Sequence, residues 1–584
     1  MEDLKRLKKC IPEIGKILLV NLVSGLVLTG FLTLLRMISG VLLEVIDRPA
    51  FTSGDLPHLF RSWQGIAVTV VGIAVLFVYV AADLNVTVIL SREILENRKT
   101  KLLQIIKQAF MNLKLLLCPS GIGIILFIAF IVPLTGGAFE ISLTSSFRVP
   151  DFILSVIHAK PIFYIGYWLF LLAAIVVEIL HAFTLHYINL DGKKPREALK
   201  AARKLLKENR KEFFLRMIPF VLLTVSAAVT VFLVFAAAPI SLLLKVKMSR
   251  VAYRFLMLLF VGIGGIVLFL GGVFLKTAIH MELTALFEEL GGDRVKTGAE
   301  KPSTTFLKRG IVVLLAVLVL AAIVMTARFD SCFPEFKDES FVIAHRGAGD
   351  LAGENTVEAV NVAHDIGADA CEIDIHRTKD GEYILNHDAD FKRLTGDPRT
   401  PQEMTVEEIK QLRMADGSRI ATLDEILDAA KGKVHLYIEL KGATADQQMV
   451  DDLYQKLVEK DMLRQCSMIS LNYSVIEYAE TTYPDTDTVY LLFFGFGDLA
   501  RLKCDSLGLE LESATQKNVQ AAKNAGKRVD VWTCNTFTDL LAAVRSGADG
   551  VITDKPLLLK IIKLGIVILD DDFLRIIDAV LPNV

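Results

Sequence analysis

The sequence predicts two domains of different class: a multi-span α-helical membrane domain at 1–330 and an α/β domain of the (β/α)8 barrel type at 341–560. The 584 residues are 53% hydrophobic with a mean hydropathy of +0.48, which is too apolar for a soluble protein of this length. The charges are segregated, since residues 1–330 hold 37 Lys and Arg against 22 Asp and Glu, and residues 331–584 hold 27 against 44. These observations exclude a single soluble globule, a disordered chain and a basic nucleic-acid-binding protein.

Long apolar stretches recur through the first domain, and each is long enough to cross about 30 Å of hydrocarbon. We predict about seven membrane-spanning helices. Pro219 and Pro239 lie in the fifth, which could be kinked or split so that an eighth crossing results. The predicted spans are about 14–44, 63–90, 114–135, 162–188, 213–243, 253–279 and 310–327.

The loops between these spans differ in positive charge. The N-terminal tail and the segments 92–114 and 193–211 are rich in Lys and Arg, whereas 47–62 and 136–161 are poor in them. Basic loops tend to remain in the cytoplasm. We therefore predict a multi-pass protein of the plasma membrane whose N-terminus is inside. After an odd number of spans, a linker at 331–340 leads to a second domain outside the cytoplasm, although the basic loop near 245–254 disagrees with this orientation.

Four ionisable side chains lie in or near the ends of the spans: Asp83, Glu178, His181 and Lys276. Charge in hydrocarbon costs several kcal/mol, so such groups are either functional or paired. Pairing within the bundle, or contact with the interface, is the favoured interpretation. The alternative is that the spans form a lipid or solute transport module with the barrel as an accessory.

After Arg328 the periodicity changes to short β-branched runs that alternate with amphipathic stretches. Eight strands interleaved with helices favour a (β/α)8 barrel over an open doubly wound sheet. The predicted strands are 341–346, 370–376, 434–440, 466–471, 488–494, 506–511, 528–533 and 549–553. The predicted helices are 355–366, 422–431, 446–460, 473–482, 514–525 and 537–546, and a helical tail is predicted at 561–584.

Acidic residues stand at the carboxyl ends of two predicted strands, where a barrel carries its chemistry. Glu372 and Asp374 are two residues apart and therefore face the same side, and Glu439 ends the next barrel strand. Three converging carboxylates need a cation, because burying an uncompensated charge is very costly. Oxygen ligands without cysteine favour one divalent cation, Mg²⁺ or Ca²⁺.

Two histidines are predicted to flank this cation. His345 follows the first strand, and an Asp-Gly turn at 380–381 folds the chain back so that His387 covers the barrel mouth. With Arg346 and Lys441 nearby, the arrangement predicts a site for a phosphate ester: the cations neutralise phosphoryl oxygens and the imidazoles move protons.

These motifs resemble the glycerophosphodiester phosphodiesterase family across 341–556, with a family-typical insertion at about 389–421. One departure is Gly353, where proline is common. The fusion to a multi-span domain resembles a bacterial membrane-anchored subgroup by layout. The motifs are HRG at 345–347, ENT at 354–356, ExD at 372–374, TKDG at 378–381, NHD at 386–388, ELK at 439–441, VWTCN at 531–535 and DGVITDKP at 549–556.

The resemblance implies a TIM-type barrel and metal-dependent hydrolysis of glycerophosphodiesters to sn-glycerol 3-phosphate and an alcohol. By position it implies metal ligands at Glu372, Asp374 and Glu439, an acid/base pair at His345 and His387, phosphate contacts at Arg346 and Lys441, and a pocket wall at Trp532. Two roles are open for Glu354 and Asn355: capping the following helix or a hydrogen bond to the site.

Several points stay open at this stage. The nucleophile is water or the substrate's own glycerol hydroxyl. The substrate is a soluble glycerophosphodiester, a lysophospholipid (a lysophospholipase D-type reaction) or a polyglycerophosphate of the teichoic-acid kind, and membrane lipids are the expected neighbours. No nucleic acid partner is expected, and the oligomeric state is unknown. His364, His376 and His435 are interpreted as structural, and the four cysteines Cys371, Cys466, Cys504 and Cys534 as buried free thiols.

Overall fold

The computed structural model describes two compact units. Met1–Ile38 with Ile66–Cys332 form the membrane unit, and Ser39–Gly65 with Phe333–Val584 form the barrel unit. Within these bounds the described residues are 15–31 except 28, 50–53, 63–96, 98, 101–131, 161–234, 249–291, 318–328 and 340–566, together with residues 33, 34, 37, 43 and 157. The linker 331–339 and the tail beyond 566 lie outside them.

The described part of the membrane unit is helical. It contains four helices long and apolar enough to cross a membrane, or five if the bent pair at 102–131 is one span. The helix that holds Pro219 is continuous there and departs from helical geometry at Asn209 instead, while Pro239 lies outside the described residues. The seven-span count stays a prediction. The helices are Trp63–Leu95, Leu102–Leu116, Pro119–Leu126, Pro161–Leu180, Thr184–Asn189, Pro195–Phe232 and Arg250–Gly291, with shorter apolar helices at Gly15–Phe31 and Leu318–Ala327.

Asp83, Lys276 and His181 are paired, as the favoured interpretation predicts. Lys276 Nζ lies 2.8 Å from Asp83 Oδ2, and the Ser24 hydroxyl donates to the other oxygen of Asp83 at 2.9 Å. His181 Nε2 accepts a hydrogen bond from Arg203 Nε at 3.1 Å. Pairing of this kind offsets much of the cost of charge inside the bundle.

Eight parallel strands of the barrel unit close on themselves. With the strands numbered β1 to β11 in chain order, from Ala50–Thr52 to Gly550–Thr553, the order of neighbours round the barrel is β2-β11-β10-β9-β7-β6-β5-β3. Pairing of β3 with β2 closes the barrel. The Asp-Gly turn prediction is confirmed, because β4 folds back antiparallel on β3 and Gly381 has φ +85°. The strands are β1 Ala50–Thr52, β2 Phe341–Ala344, β3 Ala370–Arg377, β4 Tyr383–Leu385, β5 His435–Leu440, β6 Cys466–Ser470, β7 Asp487–Leu492, β8 Gly495–Gly497, β9 Ser506–Glu510, β10 Arg528–Trp532 and β11 Gly550–Thr553.

Helices surround the barrel, and the (β/α)8 prediction is confirmed. Small and branched side chains such as Ile343, Val489 and Ile552 fill the interior, while alternate residues pack outward against the helices. The four cysteines predicted as buried free thiols are buried and free. The helices are Val357–Asp365, Lys392–Thr395, Val406–Ile409, Leu423–Ala430, Gln447–Glu459, Tyr473–Thr482, Gln516–Asn524, Phe537–Arg545 and Pro556–Ile566.

One short strand comes from an unexpected part of the sequence. The prediction assigned all of 1–330 to the membrane domain, but the structure groups Ser39–Gly65 with the barrel. Within that segment β1 pairs antiparallel with β8, and Phe51 lies opposite Phe496. Three residues are too few for periodicity to reveal such a strand.

Candidate active site

Three buried carboxylates meet at the carboxyl end of the barrel. Glu372 and Asp374 stand two residues apart on β3, and Glu439 on β5 is the register partner of Asp374. Oxygen atoms of all three lie within 4.8 Å of one another. These residues are between 0 and 6% exposed. The spacing on β3 and the parallel register thus bring the predicted trio together.

One lysine and one arginine lie against this trio. Lys441 Nζ is 2.8 Å from Glu439 Oε2 and 3.2 Å from Asp374 Oδ1. The Arg346 backbone N–H donates to Glu372 at 2.8 Å, and its guanidinium reaches Glu354 at 3.2 Å. Both predicted phosphate contacts therefore lie at the site, although the ammonium of Lys441 is already engaged by two carboxylates.

The pKa values of Glu372 and Asp374 are shifted in opposite directions. Burial, together with repulsion from Asp374 and Glu439, raises the pKa of Glu372 well above its ordinary value. Burial would also raise the pKa of Asp374, but Lys441, His387 and Arg346 outweigh it and hold that pKa below its usual range. The site therefore has more negative than positive charge, and the protonated form of Glu372 is favoured.

The trio fits a divalent cation. Glu372 Oε1 is buried and has no hydrogen-bond partner among the described residues, although buried carboxylate oxygens are normally satisfied. Two positive side chains, Lys441 and Arg346, face these three carboxylates, and Arg346 is shared with Glu354, which leaves room for further positive charge. The atoms that could bind it are all carboxylate oxygens and none is a cysteine sulfur, which suits Mg²⁺ or Ca²⁺.

His345 is held in place by an acid that the sequence reasoning did not select. Its Nδ1 hydrogen-bonds to Asp554 Oδ1 at 2.7 Å, and its Nε2 lies 3.8 Å from Glu372 Oε2. Asn535 in turn donates from its amide to Asp554 at 2.6 Å. Asp554 and Asn535 both stand in motifs noted in the sequence, but only closure of the barrel brings them to His345.

His387 has a matching arrangement. Its Nδ1 hydrogen-bonds to Asp388 Oδ1 at 3.0 Å, and Arg393 Nε donates to the other Asp388 oxygen at 2.7 Å. The hydrogen bond from His387, then the contact with Arg393, hold the pKa of Asp388 below its usual range. Arg393, on the insertion, also donates to Glu354 at 2.9 Å. Arg393 was missed because nothing in its local sequence links it to the site.

The structure decides between the two roles left open for Glu354 and Asn355. The helix cap is Thr356, whose hydroxyl accepts from the Ala359 N–H at 3.1 Å, so the capping interpretation is wrong for both residues. Asn355 donates to Asp374 Oδ2 at 2.8 Å. Glu354 binds the guanidinium groups of Arg346 and Arg393, and both residues thus support the site.

Two further side chains lie near the mouth. Trp532 ends β10 half-buried, and its indole N–H donates to the Gly508 carbonyl at 2.8 Å. His376 is on the same face of β3 as Glu372 and Asp374 by alternation. Burial lowers the pKa of His376 to about 4, so it is neutral at physiological pH.

Comparison with known proteins gives two family matches that together cover most of the chain. Residues 345–558 match the glycerophosphoryl diester phosphodiesterase family, and residues 5–326, more than half of the chain, match the membrane domain of glycerophosphoryl diester phosphodiesterase. Among curated relatives, the glycerophosphodiester phosphodiesterase of Caldanaerobacter subterraneus is 28% identical over 231 residues, which are 37% of this chain and 95% of that protein.

The matches to two other similar proteins cover comparable shares of this chain and of those proteins. The glycerophosphodiester phosphodiesterase of Bacillus subtilis is 26% identical over 257 residues, 39% of this chain and 88% of that protein. A solved glycerophosphodiester phosphodiesterase structure from Parabacteroides distasonis is 25% identical with a TM-score of 0.36, and the match covers 39% of this chain and 98% of that one.

Proposed function

Because the chain belongs to the glycerophosphoryl diester phosphodiesterase family, we propose that its barrel cleaves glycerophosphodiesters with one divalent cation, Mg²⁺ or Ca²⁺, and two histidines. The products are sn-glycerol 3-phosphate and an alcohol. Family membership makes the chain a phosphoric diester hydrolase. The observation that carries the finer proposal is the trio of buried carboxylates, Glu372, Asp374 and Glu439, served by one lysine beside His345.

Arg346 is the residue proposed to bind the phosphoryl group. Its guanidinium Nε is buried and has no hydrogen-bond partner among the described residues, so it keeps a donor for an anion. Glu354 orients the other side of the guanidinium. A cation held by the trio would supply positive charge that neutralises phosphoryl oxygens. Lys441 in this proposal orients Asp374 and Glu439, and its predicted phosphate contact stays a prediction.

The two histidines are proposed to move protons at Nε2. Asp554 accepts the Nδ1 proton of His345, and Asp388 does the same for His387, so that each Nε2 can accept a proton from the nucleophile or return one to the departing alkoxide. The paired carboxylate also stabilises each imidazolium once it forms. Trp532 at the rim is proposed as a wall for the glycerol or alcohol moiety.

The nucleophile is either water or the glycerol hydroxyl next to the phosphoryl group. Attack by the hydroxyl forms a cyclic phosphate and releases the alcohol, and water then opens the ring. Analysis of early reaction products by phosphorus NMR separates the two routes, because a cyclic phosphate appears before glycerol 3-phosphate only when the hydroxyl attacks.

We propose a plasma-membrane location with the barrel outside the cytoplasm, supported by the basic segments 92–114 and 193–211. Labelling with a membrane-impermeant maleimide tests this. A cysteine at Lys503, whose side chain is 57% exposed on the barrel, should react in intact cells. The matched cysteine at Lys204, 77% exposed in the basic segment, should react only after permeabilisation. The reverse pattern would overturn the orientation.

The decisive experiment assays the purified full chain with and without chelator on a soluble glycerophosphodiester, a lysophospholipid and a polyglycerophosphate. His345→Ala and His387→Ala should each lower turnover by about 10²–10⁴-fold, as expected for loss of a general acid or base. The matched control is His364→Ala, since His364 is exposed on a helix away from the barrel mouth. Near-normal activity in both variants, or insensitivity to chelator, contradicts the mechanism.

A second candidate function concerns the membrane unit. A cavity of about 370 Å³ between its helices is lined mainly by apolar side chains, with Glu178, His181 and His186 among its polar ones. Such a cavity suits an acyl chain or small amphiphile and favours a transport or lipid-handling role. Reconstituted liposomes should then show substrate movement that Glu178→Gln abolishes, and absence of flux in the wild type contradicts this role.

A further inference from the structure

Three interruptions of helical backbone lie at the cavity of the membrane unit. The helices Leu102–Leu116 and Pro119–Ile131 are bent by 116° at their junction, and the second ends in a π-helical turn. The third interruption is the turn at 181–183. Lining residues come from all three places, for example Ser120, Phe127 and Ala182. Broken helices at membrane depth are tolerated where they line a cavity, and in many transporters they form the substrate site. The backbone around this cavity is therefore typical of a binding site.

The Thr184 hydroxyl at this cavity has no hydrogen-bond partner among the described residues. Thr184 lines the cavity, is 2% exposed and follows directly on the turn at 181–183. Threonine hydroxyls in a helix can donate to the carbonyl four residues earlier. Eight other described threonines of the membrane unit do so: Thr29, Thr33, Thr87, Thr224, Thr230, Thr277, Thr284 and Thr326. Since buried polar groups are normally paired, the Thr184 hydroxyl indicates a partner that binds in the cavity.

His181, in the turn before Thr184, presents a hydrogen-bond donor. Its Nε2 accepts from Arg203 Nε at 3.1 Å. An arginine side chain only donates, so Nε2 carries no proton and the N–H of the neutral imidazole is at Nδ1. His181 lines the cavity, and its Nδ1 is buried without a partner among the described residues. The imidazole N–H and the Thr184 hydroxyl can therefore both donate to an acceptor atom in the cavity.

The remaining lining of the cavity restricts the chemistry of the bound molecule. Most of it is apolar, with side chains such as Leu84, Ile124 and Leu185, and the cavity holds about 370 Å³. Sites for small molecules hold about 300–1,000 Å³. Glu178 is the one Asp, Glu, Lys or Arg among the described residues that line it. An anionic head group would face this carboxylate, and a quaternary ammonium has no acceptor for the His181 N–H. An uncharged head group with oxygen acceptors fits both groups.

We propose that the cavity binds a single-chain lipid whose head group is uncharged and carries oxygen acceptors, as in a monoacylglycerol. A head-group oxygen accepts from the His181 Nδ1–H and from the Thr184 hydroxyl, while the acyl chain packs along the apolar lining. This inference deepens the lipid-handling role proposed for the membrane unit and rests on that proposal. Arg203 is a positioning residue, because it acts through the tautomer of His181.

The first test measures photocrosslinking of a diazirine-bearing monoacylglycerol to the full chain in nanodiscs. Thr184→Val should raise the concentration for half-maximal labelling about three- to tenfold, as expected for one lost hydrogen bond. It should not lower the melting temperature of the unloaded protein, because the hydroxyl has no partner there. The matched control is Thr277→Val, since Thr277 is buried, donates to the Val273 carbonyl and does not line the cavity. Unchanged labelling of Thr184→Val, or an equal loss in Thr277→Val, overturns the site.

The second test decides the class of head group by competition for labelling. The competitors are unlabelled monoacylglycerol, a lysophosphatidate and an alkyltrimethylammonium, all with the same chain length. The two charged lipids should compete at least about tenfold less well than the monoacylglycerol, because the first faces Glu178 and the second lacks an acceptor for His181. Equal competition by either charged lipid overturns the uncharged class.

The third test concerns the donor on His181. His181→Phe should weaken labelling about tenfold, whereas His181→Asn, whose amide N–H can donate from a similar position, should retain most of it. Arg203→Met should weaken labelling in the wild-type background but not further in His181→Phe, because it acts through His181. The control is Lys204→Met, whose side chain is 77% exposed. Equal loss in His181→Phe and His181→Asn overturns the donor role, and additive effects overturn the role of Arg203.

Flux measurements in reconstituted liposomes separate this inference from the role on which it rests. Labelling that depends on Thr184 and His181, without flux of any substrate, supports the site and contradicts transport. Flux that Glu178→Gln abolishes, without saturable labelling by monoacylglycerol, supports transport and overturns the proposed ligand.

Discussion

Each unit of this protein buries one lysine against acidic side chains, and the two clusters differ in how many carboxylates the lysine serves. In the membrane unit Lys276 faces Asp83 alone. In the barrel Lys441 faces Asp374 and Glu439, with Glu372 close by. Both lysines are equally buried, at 14% side-chain exposure. Burial therefore does not distinguish the clusters, but charge balance does.

The comparison separates a balanced ion pair from the cluster that we propose to bind a cation. One lysine balances one carboxylate, so Asp83 and Lys276 need no third partner. Three carboxylates around Lys441 and Arg346 leave an excess of negative charge. Burial, and then repulsion from its two acidic neighbours, raises the pKa of Glu372. A surplus of this kind at a barrel mouth is what a cation site requires.

The largest effect is expected from removing one negative charge from the trio of carboxylates. Glu372→Gln keeps the shape of the side chain and removes one charge, so activity should fall by at least about 100-fold. The cation-free variant should melt at a higher temperature than the wild type, because repulsion inside the trio is relieved. Glu382→Gln, an exposed position in the β3–β4 turn, is the control for both measurements. Full activity of Glu372→Gln, or a melting temperature below that of the wild type without cation, contradicts an excess of negative charge at the trio.

Breaking the balanced pair should instead cost stability. Lys276→Met or Asp83→Asn leaves a buried partner uncompensated, and each should destabilise the membrane unit by about 3–5 kcal/mol, while the double variant should lose less. Denaturant unfolding of the purified protein in detergent measures this, with the exposed Lys204→Met as control. A double variant that loses the sum of both single effects would show that the two residues do not form a pair.

A smaller effect is expected from adding cation. At about 100 times its dissociation constant, Mg²⁺ or Ca²⁺ should stabilise the wild-type barrel by about 2.7 kcal/mol, a rise in melting temperature of about 5–10 °C. Glu439→Gln should abolish most of that rise. If both ions stabilise the variant as much as the wild type, the ion binds somewhere other than the trio.

The last expected effect depends on pH and concerns Asp530, a buried acid that is not paired with a lysine. Asp530 is buried on β10, and burial raises its pKa to about 7. An acid whose pKa is raised on folding binds its proton more tightly in the folded state. Its contribution is therefore complete below the unfolded pKa of about 4 and is lost at about 1.4 kcal/mol per unit as pH rises towards 7. Asp530→Asn should remove this slope from the stability curve of the variant, so that the difference between wild-type and variant stability changes with pH between about 4 and 7. Parallel curves would contradict the raised pKa.

Much of the fold and of the site follows from local sequence patterns. The eight predicted barrel strands agree with the observed ones to within two residues at each end, and the helix Tyr473–Thr482 has the predicted bounds. Period-two alternation predicts that Glu372 and Asp374 face the same side, and the Asp-Gly turn predicts that His387 returns to the mouth. These features depend on neighbours a few residues apart, which is why a sequence pattern is sufficient for them.

Supporting contacts could not be predicted in this way. Asp554 reaches His345 across 209 residues, and the Thr52 hydroxyl meets Tyr490 across 438. Arg393, on an insertion with its own small apolar cluster, links Asp388 to Glu354. None of these residues has a sequence signal for its partner, because each contact exists only after the barrel has closed.

The amino-acid sequence alone predicted the two domain classes, the order of the strands along the chain and which carboxylates and histidines lie near the barrel mouth. Only the tertiary structure decided which acid orients each histidine, how many carboxylates Lys441 serves, and that residues 50–53 belong to the barrel. The reason is physical: hydrophobic periodicity and residue type are local properties of the chain, whereas charge balance and burial are sums over all the groups that folding brings together.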